Sequence, residues 1–427
     1  MARGRLRVVA AVVAAIVVAE AAVLILRPRE GIVNPLPVDP TAYFTLQQIQ
    51  RAEAYRGPQR LLGLGVLAVE IGVLALAAWR PPAALTAPRR RPLAAAAAAG
   101  AALSVVVAVT PLPLQAVAHQ RAREVGLVTQ SWGGWAADLV RSTAIAAVFA
   151  ALGAAAVVGL MRRAPRTWWL WGSGVIVGFG AFTVALSPVV ISPLFNDFRP
   201  LPAGDLRRDV LALADRAGVR VGEVYVMDAS RRTTAANAYV AGLGATKRVV
   251  LYDTLLEGFP PDEVRVVVAH ELGHQFHADL WGGLGFLAVV TPVGLFAAGR
   301  ITERLAPDLR GPAALPALAL SVAVLVPAIT WVSNQLSRAV EARADTFSLE
   351  LTGAPAAFAA FERRITLRNL SDPDPPAWAT FLLGTHPPTV ERLGAAEAWA
   401  AGRRPQDLSR QGSQPEAGDP RRLAPDP

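Results

Sequence analysis

The chain of 427 residues contains no cysteine and only five histidines. Without cysteine, disulfide bonds, thiolate metal ligands and a cysteine nucleophile are excluded. Any zinc site must therefore use histidine and carboxylate side chains. Charged residues are also sparse, at 18% of the chain, whereas 53% of the residues are hydrophobic and the mean hydropathy is +0.37. This balance is more apolar than that of an ordinary soluble protein.

The formal net charge of +9 comes almost entirely from arginine. The arginines flank apolar runs and fill the C-terminal tail, and we find no DNA- or RNA-binding motif. Arginine at the ends of apolar segments is typical of anchoring at a membrane surface. We therefore expect the lipid bilayer as a partner, and no nucleic acid.

Seven apolar runs approach the length of about 20 residues that is needed to cross a bilayer. They lie at 7–26, 61–79, 93–114, 142–161, 168–194, 281–299 and 313–333. We interpret the first as an uncleaved span, because no small-residue cleavage pattern follows it. Glu20 and Glu70 lie inside apolar runs, where a carboxylate either faces a bundle interior or wet cavity or is a buried, protonated structural residue. The runs predict a multi-pass protein of the cell membrane.

The stretch from His270 to His274 reads H-E-L-G-H, which is the H-E-x-x-H zinc motif. On a helix, positions i and i+4 share one face, so both imidazoles can bind one metal ion. Glu271 lies between them and is expected to act as the general base toward a water molecule. The motif predicts one zinc ion per chain and metal-assisted hydrolysis of peptide bonds.

A catalytic zinc takes three protein ligands. A third histidine in the extended metzincin pattern is absent, because position 280 is leucine. Asn334, Arg338, Glu341 and Asp345 form one polar helix face, on which Glu341 is the best candidate ligand. A solvated face with an Arg–Glu pair explains the same stripe, and the pattern alone leaves both open. We expect Asp345, and with it Arg338, to lie outside the ligands and orient them.

The remaining three histidines are weaker candidates for the metal site. His277 follows His274 by about one turn and is either a spare ligand or a polar residue at the cavity edge. His386 precedes Pro387 and Pro388, which fix the local backbone, and it is a further candidate for the site. His119 lies in a loop at a membrane end, and we interpret it as structural or interfacial.

The apolar runs and motifs divide the chain into five parts. Residues 1–195 are a membrane region with about five spans; 196–280 are a metalloprotease domain; 281–333 hold the sixth and seventh spans; 334–402 are the C-terminal part of that domain; 403–427 are a disordered tail. Within 196–280, residues 206–217 have helical periodicity, and 223–228, 237–241 and 248–252 are typical of strands. We predict a mostly α-helical membrane protein with a zincin-like α/β domain and a small β-sheet.

Five motifs in order resemble the type I CAAX prenyl protease family of membrane zinc peptidases. They are Asn237-Ala238-Tyr239, the run from Lys247 to Leu256, the H-E-x-x-H motif, Ser337-Arg338 with Glu341 and Ala344-Asp345, and His386-Pro387-Pro388 with Glu391-Arg392-Leu393. A related group of heat-shock membrane proteases shares the zinc and H-P-P motifs but has fewer spans. The span count therefore favours the prenyl-protease type.

The resemblance implies a ring of about seven tilted helices around a water-filled chamber, capped by the zinc domain. It also implies that Glu341 is the third ligand and that His386 donates to the transition state. Asn237, Ala238 and Tyr239 would bind the substrate backbone as an edge strand. We expect a peptide or protein substrate, membrane-associated substrates included, and a monomer. Nothing in the sequence marks a prenyl site, so the physiological substrate stays open.

Three other functions fit parts of the pattern. They are a heat-shock-type protease for quality control of membrane proteins, a non-catalytic membrane sensor that retains the zinc site, and a transporter or channel. Intact Glu271 and Glu341 argue against the sensor, since a decayed site usually loses its base or a ligand. A transporter or channel function would not explain the polar insertion that carries H-E-x-x-H.

Overall fold

The computed structural model describes residues 2–86, 90–242, 247–306 and 311–402, so the predicted disordered tail lies outside the described residues. Within them the chain forms fifteen α-helices and four strands. The helices are α1 Ala2–Leu26, α2 Leu46–Trp79, α3 Ala83–Thr86, α4 Pro92–Val109, α5 Leu112–Glu124, α6 Trp132–Arg163, α7 Trp168–Leu186, α8 Asp205–Arg216, α9 Asp253–Gly258, α10 Pro261–Phe276, α11 Asp279–Leu305, α12 Leu315–Thr352, α13 Pro355–Arg368, α14 Ala377–Leu383 and α15 Thr389–Ala400. The strands are β1 Phe198–Pro200, β2 Glu223–Met227, β3 Ala238–Ala241 and β4 Arg248–Tyr252.

Seven helical segments of the described residues are long and apolar enough to cross a membrane, one for each predicted span. They are Leu6–Leu26, Leu46–Trp79, Pro92–Val109, Trp132–Arg163, Trp168–Leu194, Asp279–Leu305 and Pro312–Thr352. Several extend beyond their apolar runs, because a helix needs no apolar face where it leaves the bilayer and packs on protein. The division of the chain into five parts stays a prediction.

The second span begins earlier than predicted. Thr45 caps α2 through a capping box with Gln48, and this fixes the helix start well before the apolar run at 61–79. The added polar turns contact the C-terminal part of the chain. There, Arg56 donates hydrogen bonds to the backbone oxygens of Asn369 and Leu370, and Arg60 pairs with Asp372 at 2.8 Å.

The seventh span and the polar helix predicted after it are one continuous helix of 38 residues, α12. It ends at Gly353, which has φ 61°, a left-handed conformation that glycine adopts at low cost. The polar stripe that begins at Asn334 is therefore rigidly joined to a membrane helix. Directly after Asn334, Gln335 donates to Glu20 across 3.4 Å, so Glu20 of α1 faces α12.

Small residues set the packing of the spans. At Gly100 of α4, an added Cβ would lie 2.5 Å from the backbone oxygen of Ala150 in α6. The two backbones therefore approach closely, as small residues allow between membrane helices. On the other side, α1 packs against both α11 and α12.

The sheet has the order β1-β2-β4-β3. Strands β2 and β4 are parallel, with Val224 opposite Val249, while β1 and β3 run antiparallel to their neighbours. Three strands were predicted, and β1 was missed because it is only three residues long and ends in proline. Strand β3 lies at one edge of the sheet, and among the described residues no strand pairs with the other side of its backbone.

One hydrophobic core joins the sheet to α8, α10, α13 and α15. Its fully buried side chains include Val210, Val224, Leu251, Leu272, Leu349 and Phe358. Helix α10 lies inside this core and is buried around most of its circumference. This burial holds the H-E-x-x-H motif in a fixed position between the sheet and α12.

Candidate metal centre

Helix α10 presents the two motif histidines to α12. Its first turn contains Pro261, Asp262 and Glu263. Proline and acidic residues stabilise the N-terminal turn of a helix. Gly273, inside the motif, allows close packing: a Cβ there would lie 3.1 Å from the ring of Phe347 on α12. This contact brings the histidines within reach of the carboxylates of α12.

Three side chains converge on one point. The Nε2 atoms of His270 and His274 lie 3.2 Å apart. Glu341 Oε2 lies 3.1 Å from His270 Nε2, and Glu341 Oε1 lies 3.7 Å from His274 Nε2. Nitrogen and oxygen ligands at 2.0–2.2 Å from one tetrahedral zinc ion are separated by roughly 3.3–3.5 Å. The donor types and their separations therefore fit a single zinc ion.

Glu271 lies at the same point from the α10 side. One of its carboxylate oxygens lies within 4.8 Å of the ligand atoms of both histidines. Burial raises the pKa of Glu271 above its ordinary value of 4.5, against the opposing effect of the two histidines. The site thus holds two carboxylates: Glu341, which contacts His270 directly, and Glu271, which is placed to exchange a proton.

His270 is oriented by Asp345, which is only 2% exposed. His270 Nδ1 donates to Asp345 Oδ1 at 2.8 Å, and this leaves Nε2 for the metal. Arg392 holds Asp345 through two hydrogen bonds. Burial lowers the pKa of His270, but the hydrogen bonds to Asp345 and Glu341 outweigh it and raise the pKa to about 10. The carboxylates thus strongly favour a positive charge at this position.

His274 has a carboxylate of its own, which sequence reasoning missed. Its Nδ1 lies 2.9 Å from Oδ2 of Asp279, and Arg343 binds the other oxygen of Asp279. Asp279 follows His274 by five residues, a spacing that does not share a face on a continuous helix. Ala278, with φ 55°, breaks the helix between them and changes the direction of the chain.

Arg338 of α12 contacts the backbone of α14 and of the residue that follows it. Its Nη1 donates to the backbone oxygens of Thr380 and Gly384 at 2.9 and 2.7 Å, and Asn334 donates to Leu382 O at 3.1 Å. Both residues thus hold α14 and the loop after it, which carries His386. The polar stripe on α12 has two roles: its first half anchors this loop, and its second half faces the histidines.

His386 reaches the centre from that loop. Its Nε2 lies 3.3 Å from Glu341 Oε2, and its side chain is 58% exposed. His277 instead packs against the rings of Phe276 and Phe347, and His119 against Trp132 and Trp135.

A cavity of about 880 Å³ adjoins the centre. Its lining includes His270, Glu271, His386 and Asn237. Of the three residues predicted to bind substrate, only Asn237 lines this cavity. Ala238 packs in the core, and Tyr239 packs against Tyr252 on the sheet, where burial raises the pKa of Tyr239 to about 12. Ala238 can therefore reach a substrate only through its backbone, whereas the backbone of Tyr239 is paired with Val250 of β4.

Comparison with known proteins shows which family this chain resembles. Residues 200–400 match the model of peptidase family M48, and residues 85–197 match that of the CAAX prenyl protease N-terminal region of five membrane helices. A relative, an uncharacterized metalloprotease YhfN of Bacillus subtilis, is 34% identical over 304 residues, which cover 69% of this chain and 71% of that protein. CAAX prenyl protease 1 of Saccharomyces cerevisiae is 33% identical over 176 residues, 40% of this chain and 38% of that protein.

The crystal structure of S. mikatae Ste24p has the same fold. It superposes with a TM-score of 0.75 at 21% identity and covers 92% of this chain and 99% of that one. The predicted fold class, a mostly helical membrane protein with about seven spans and a small sheet, is thereby confirmed.

The fold and the convergence of two histidines with carboxylates define a multi-pass membrane metallopeptidase. The chain belongs to peptidase family M48, and its N-terminal spans are of the CAAX prenyl protease type. This confirms the predicted family, and it favours the prenyl-protease type over the heat-shock, sensor and transporter alternatives.

Proposed function

We propose that this protein is a zinc endopeptidase that cleaves peptide or protein substrates at the membrane. The observation that carries the proposal is the convergence of His270, His274 and Glu341, beside a cavity of about 880 Å³ whose lining includes His270 and Glu271. These three residues would hold one zinc ion per chain. Zinc in such a site supplies Lewis acidity and lowers the pKa of water to about 7.

Glu271 performs the proton transfers. Its carboxylate accepts a proton from the attacking water and delivers it to the leaving amine. Burial favours its protonated form, which suits a group that must hold and then release a proton. Because its backbone lies in the buried helix α10, the carboxylate keeps a fixed position relative to both histidines.

His386 donates a hydrogen bond to the oxyanion that develops on the substrate carbonyl. Its Nδ1 contacts Thr385 Oγ1 at 3.0 Å, which leaves Nε2 directed toward Glu341 and the reacting centre. The loop that carries it is held by Arg338 and Asn334. Removal of one such donor typically lowers kcat by a factor on the order of 10²–10³.

The substrate binds in extended form along β3. As an edge strand, β3 can pair with an added peptide strand through backbone hydrogen bonds. The name of the yeast relative, CAAX prenyl protease 1, suggests substrates of the prenylated C-terminal type. We propose the broader class, peptides or proteins that reach the site from the membrane, and a monomeric enzyme.

The proposal is tested on the purified full-length protein in detergent. We expect about one zinc per chain by elemental analysis, and cleavage of a generic fluorogenic peptide that a chelator abolishes and added zinc restores. Zinc binding without cleavage of any peptide would instead favour a sensor. Cleavage that resists complete zinc removal would refute the metal mechanism.

A further inference from the structure

We propose that Asp279 and Arg343 are positioning residues that fix the orientation of His274 toward the metal. They would serve His274 as Asp345 and Arg392 serve His270. The inference rests on the proposed zinc chemistry and adds residues that no family motif above contains.

The contacts of His274 carry the inference. Its Nδ1 lies 2.9 Å from Asp279 Oδ2, and its Nε2 faces His270 Nε2 at 3.2 Å. A carboxylate at Nδ1 holds the proton there and leaves the Nε2 lone pair for a metal, which fixes both the tautomer and the ring orientation. The two histidines thus have the same arrangement, with Nδ1 on an aspartate and Nε2 at the shared centre.

Arg343 completes the arrangement. It binds Asp279 Oδ1 from α12, so the carboxylate is held on one oxygen and accepts from His274 on the other. The side chain of Asp279 is only 11% exposed, and that of Arg343 is 21% exposed. His277 also faces this pair, and its ring lies against Phe347.

The backbone is shaped for this contact. Ala278 has φ 55°, a conformation that residues with a Cβ rarely adopt, and α11 begins directly after it. The turn brings the first residue of α11 back to the last turn of α10. The start of the sixth span is therefore joined to a metal-binding histidine.

A purely structural role is the alternative, because an acid in the first turn of a helix stabilises that helix. Asp205 provides a matched control. It is also the first residue of its helix, α8, and it pairs with an arginine, Arg208, but lies on the exposed surface.

The test compares Asp279→Ala, Asp279→Asn, Arg343→Gln and Asp205→Asn with wild type. Zinc affinity is measured by competition with a chromophoric chelator, and unfolding midpoints are measured for the zinc-free and zinc-loaded proteins. We expect Asp279→Ala to bind zinc roughly 10–100-fold more weakly, as is typical for loss of a group that orients a ligand. Asp279→Asn keeps an acceptor oxygen, so its zinc affinity should fall less than that of Asp279→Ala. Arg343→Gln should also weaken zinc affinity, but by less than Asp279→Ala does.

The zinc-free midpoints of these variants should match wild type, and Asp205→Asn should match it in affinity as well. Zinc affinity of Asp279→Ala within about twofold of wild type would overturn the inference. So would a lowered zinc-free midpoint that accounts for the whole loss. A wild-type protein that binds no zinc would be a different failure, since it removes the proposed function itself.

Discussion

The side chain of Asn369 makes both backbone hydrogen bonds of Ala236. Its Oδ1 accepts from Ala236 N–H at 3.0 Å, and its Nδ2 donates to Ala236 C=O at 3.3 Å. An amide side chain thus takes the place of a neighbouring strand just before β3 begins. Asn369 is itself held by Arg56 of the second span. A substrate strand added to β3 therefore cannot pair at Ala236 and must pair farther along, from Ala238 onward.

This geometry predicts which backbone groups bind substrate. Asn237 C=O accepts from Tyr252 N–H at 3.1 Å, so the alternation of a strand directs the polar groups of Ala238 and Val240 away from β4. Ala238 N–H already donates to Asn237 Oδ1 at 2.9 Å. Val240→Pro should therefore raise KM about 3- to 10-fold, as expected for one lost hydrogen bond, without releasing zinc.

Val240→Ala is the matched control, because it keeps the N–H. A peptide series scanned with proline and alanine tests the same contact from the substrate side. Proline at a position paired to β3 should block cleavage more than alanine does. Equal tolerance of proline at every position near the scissile bond would rule out the edge-strand contact and leave the zinc chemistry untouched.

Glu271→Gln should keep the fold and the zinc content but lower kcat by on the order of 10²–10⁴, because glutamine cannot accept the proton of water. The measurement is single-substrate kinetics with zinc content determined on the same sample. Glu257→Gln on α9, an exposed glutamate, should behave as wild type. Near-wild-type turnover by the Glu271 variant would show that another group is the base.

Glu341→Ala should lose zinc as well as activity, because two histidines alone bind zinc weakly. Asp345→Ala should retain zinc with affinity reduced by roughly 10–100-fold. Glu350→Ala, an exposed glutamate on the same helix, serves as control. Full zinc occupancy in Glu341→Ala, measured by elemental analysis, would exclude Glu341 as a ligand. Glu271 would then be the candidate for the third ligand.

Glu362 gives the protein a pH-dependent stability. It is 1% exposed, and its Oε1 lies 2.9 Å from Arg392 Nη1 but has no aligned hydrogen bond among the described residues. Arg392 instead directs its hydrogen bonds to Asp345. Burial therefore dominates and raises the pKa of Glu362 from 4.5 to about 7.

Since the folded pKa lies above the unfolded one, the stability that protonated Glu362 contributes is full below about pH 4.5 and is lost as pH rises through about 7. The unfolding midpoint of wild type should therefore fall more between these values than that of Glu362→Gln, which cannot ionise. Glu257→Gln should keep the wild-type slope. Identical slopes for wild type and Glu362→Gln would contradict the raised pKa.

Local pattern was enough to find the motif on α10 and the helix face on α12. His270 and His274 are four residues apart, and Glu341 and Asp345 are also four apart, so each pair shares a face wherever a helix forms. The roles of these residues in catalysis remain predictions for the experiments above. Local pattern does not predict the neighbours of Arg338: it shares the face of Glu341 but lies nearly one turn earlier and donates to Thr380 of α14, not to a group on α10.

The sequence by itself determined the seven membrane helices, the three longer strands and the pairing of two histidines, because bilayer thickness and helix and strand periodicity act over short stretches of chain. Only the tertiary structure decided what surrounds those histidines. Asp279 reaches His274 through a left-handed turn at Ala278, and Arg392 reaches Asp345 from a helix 47 residues farther along the chain. Such contacts depend on backbone direction and on the packing of distant elements, which periodicity does not encode.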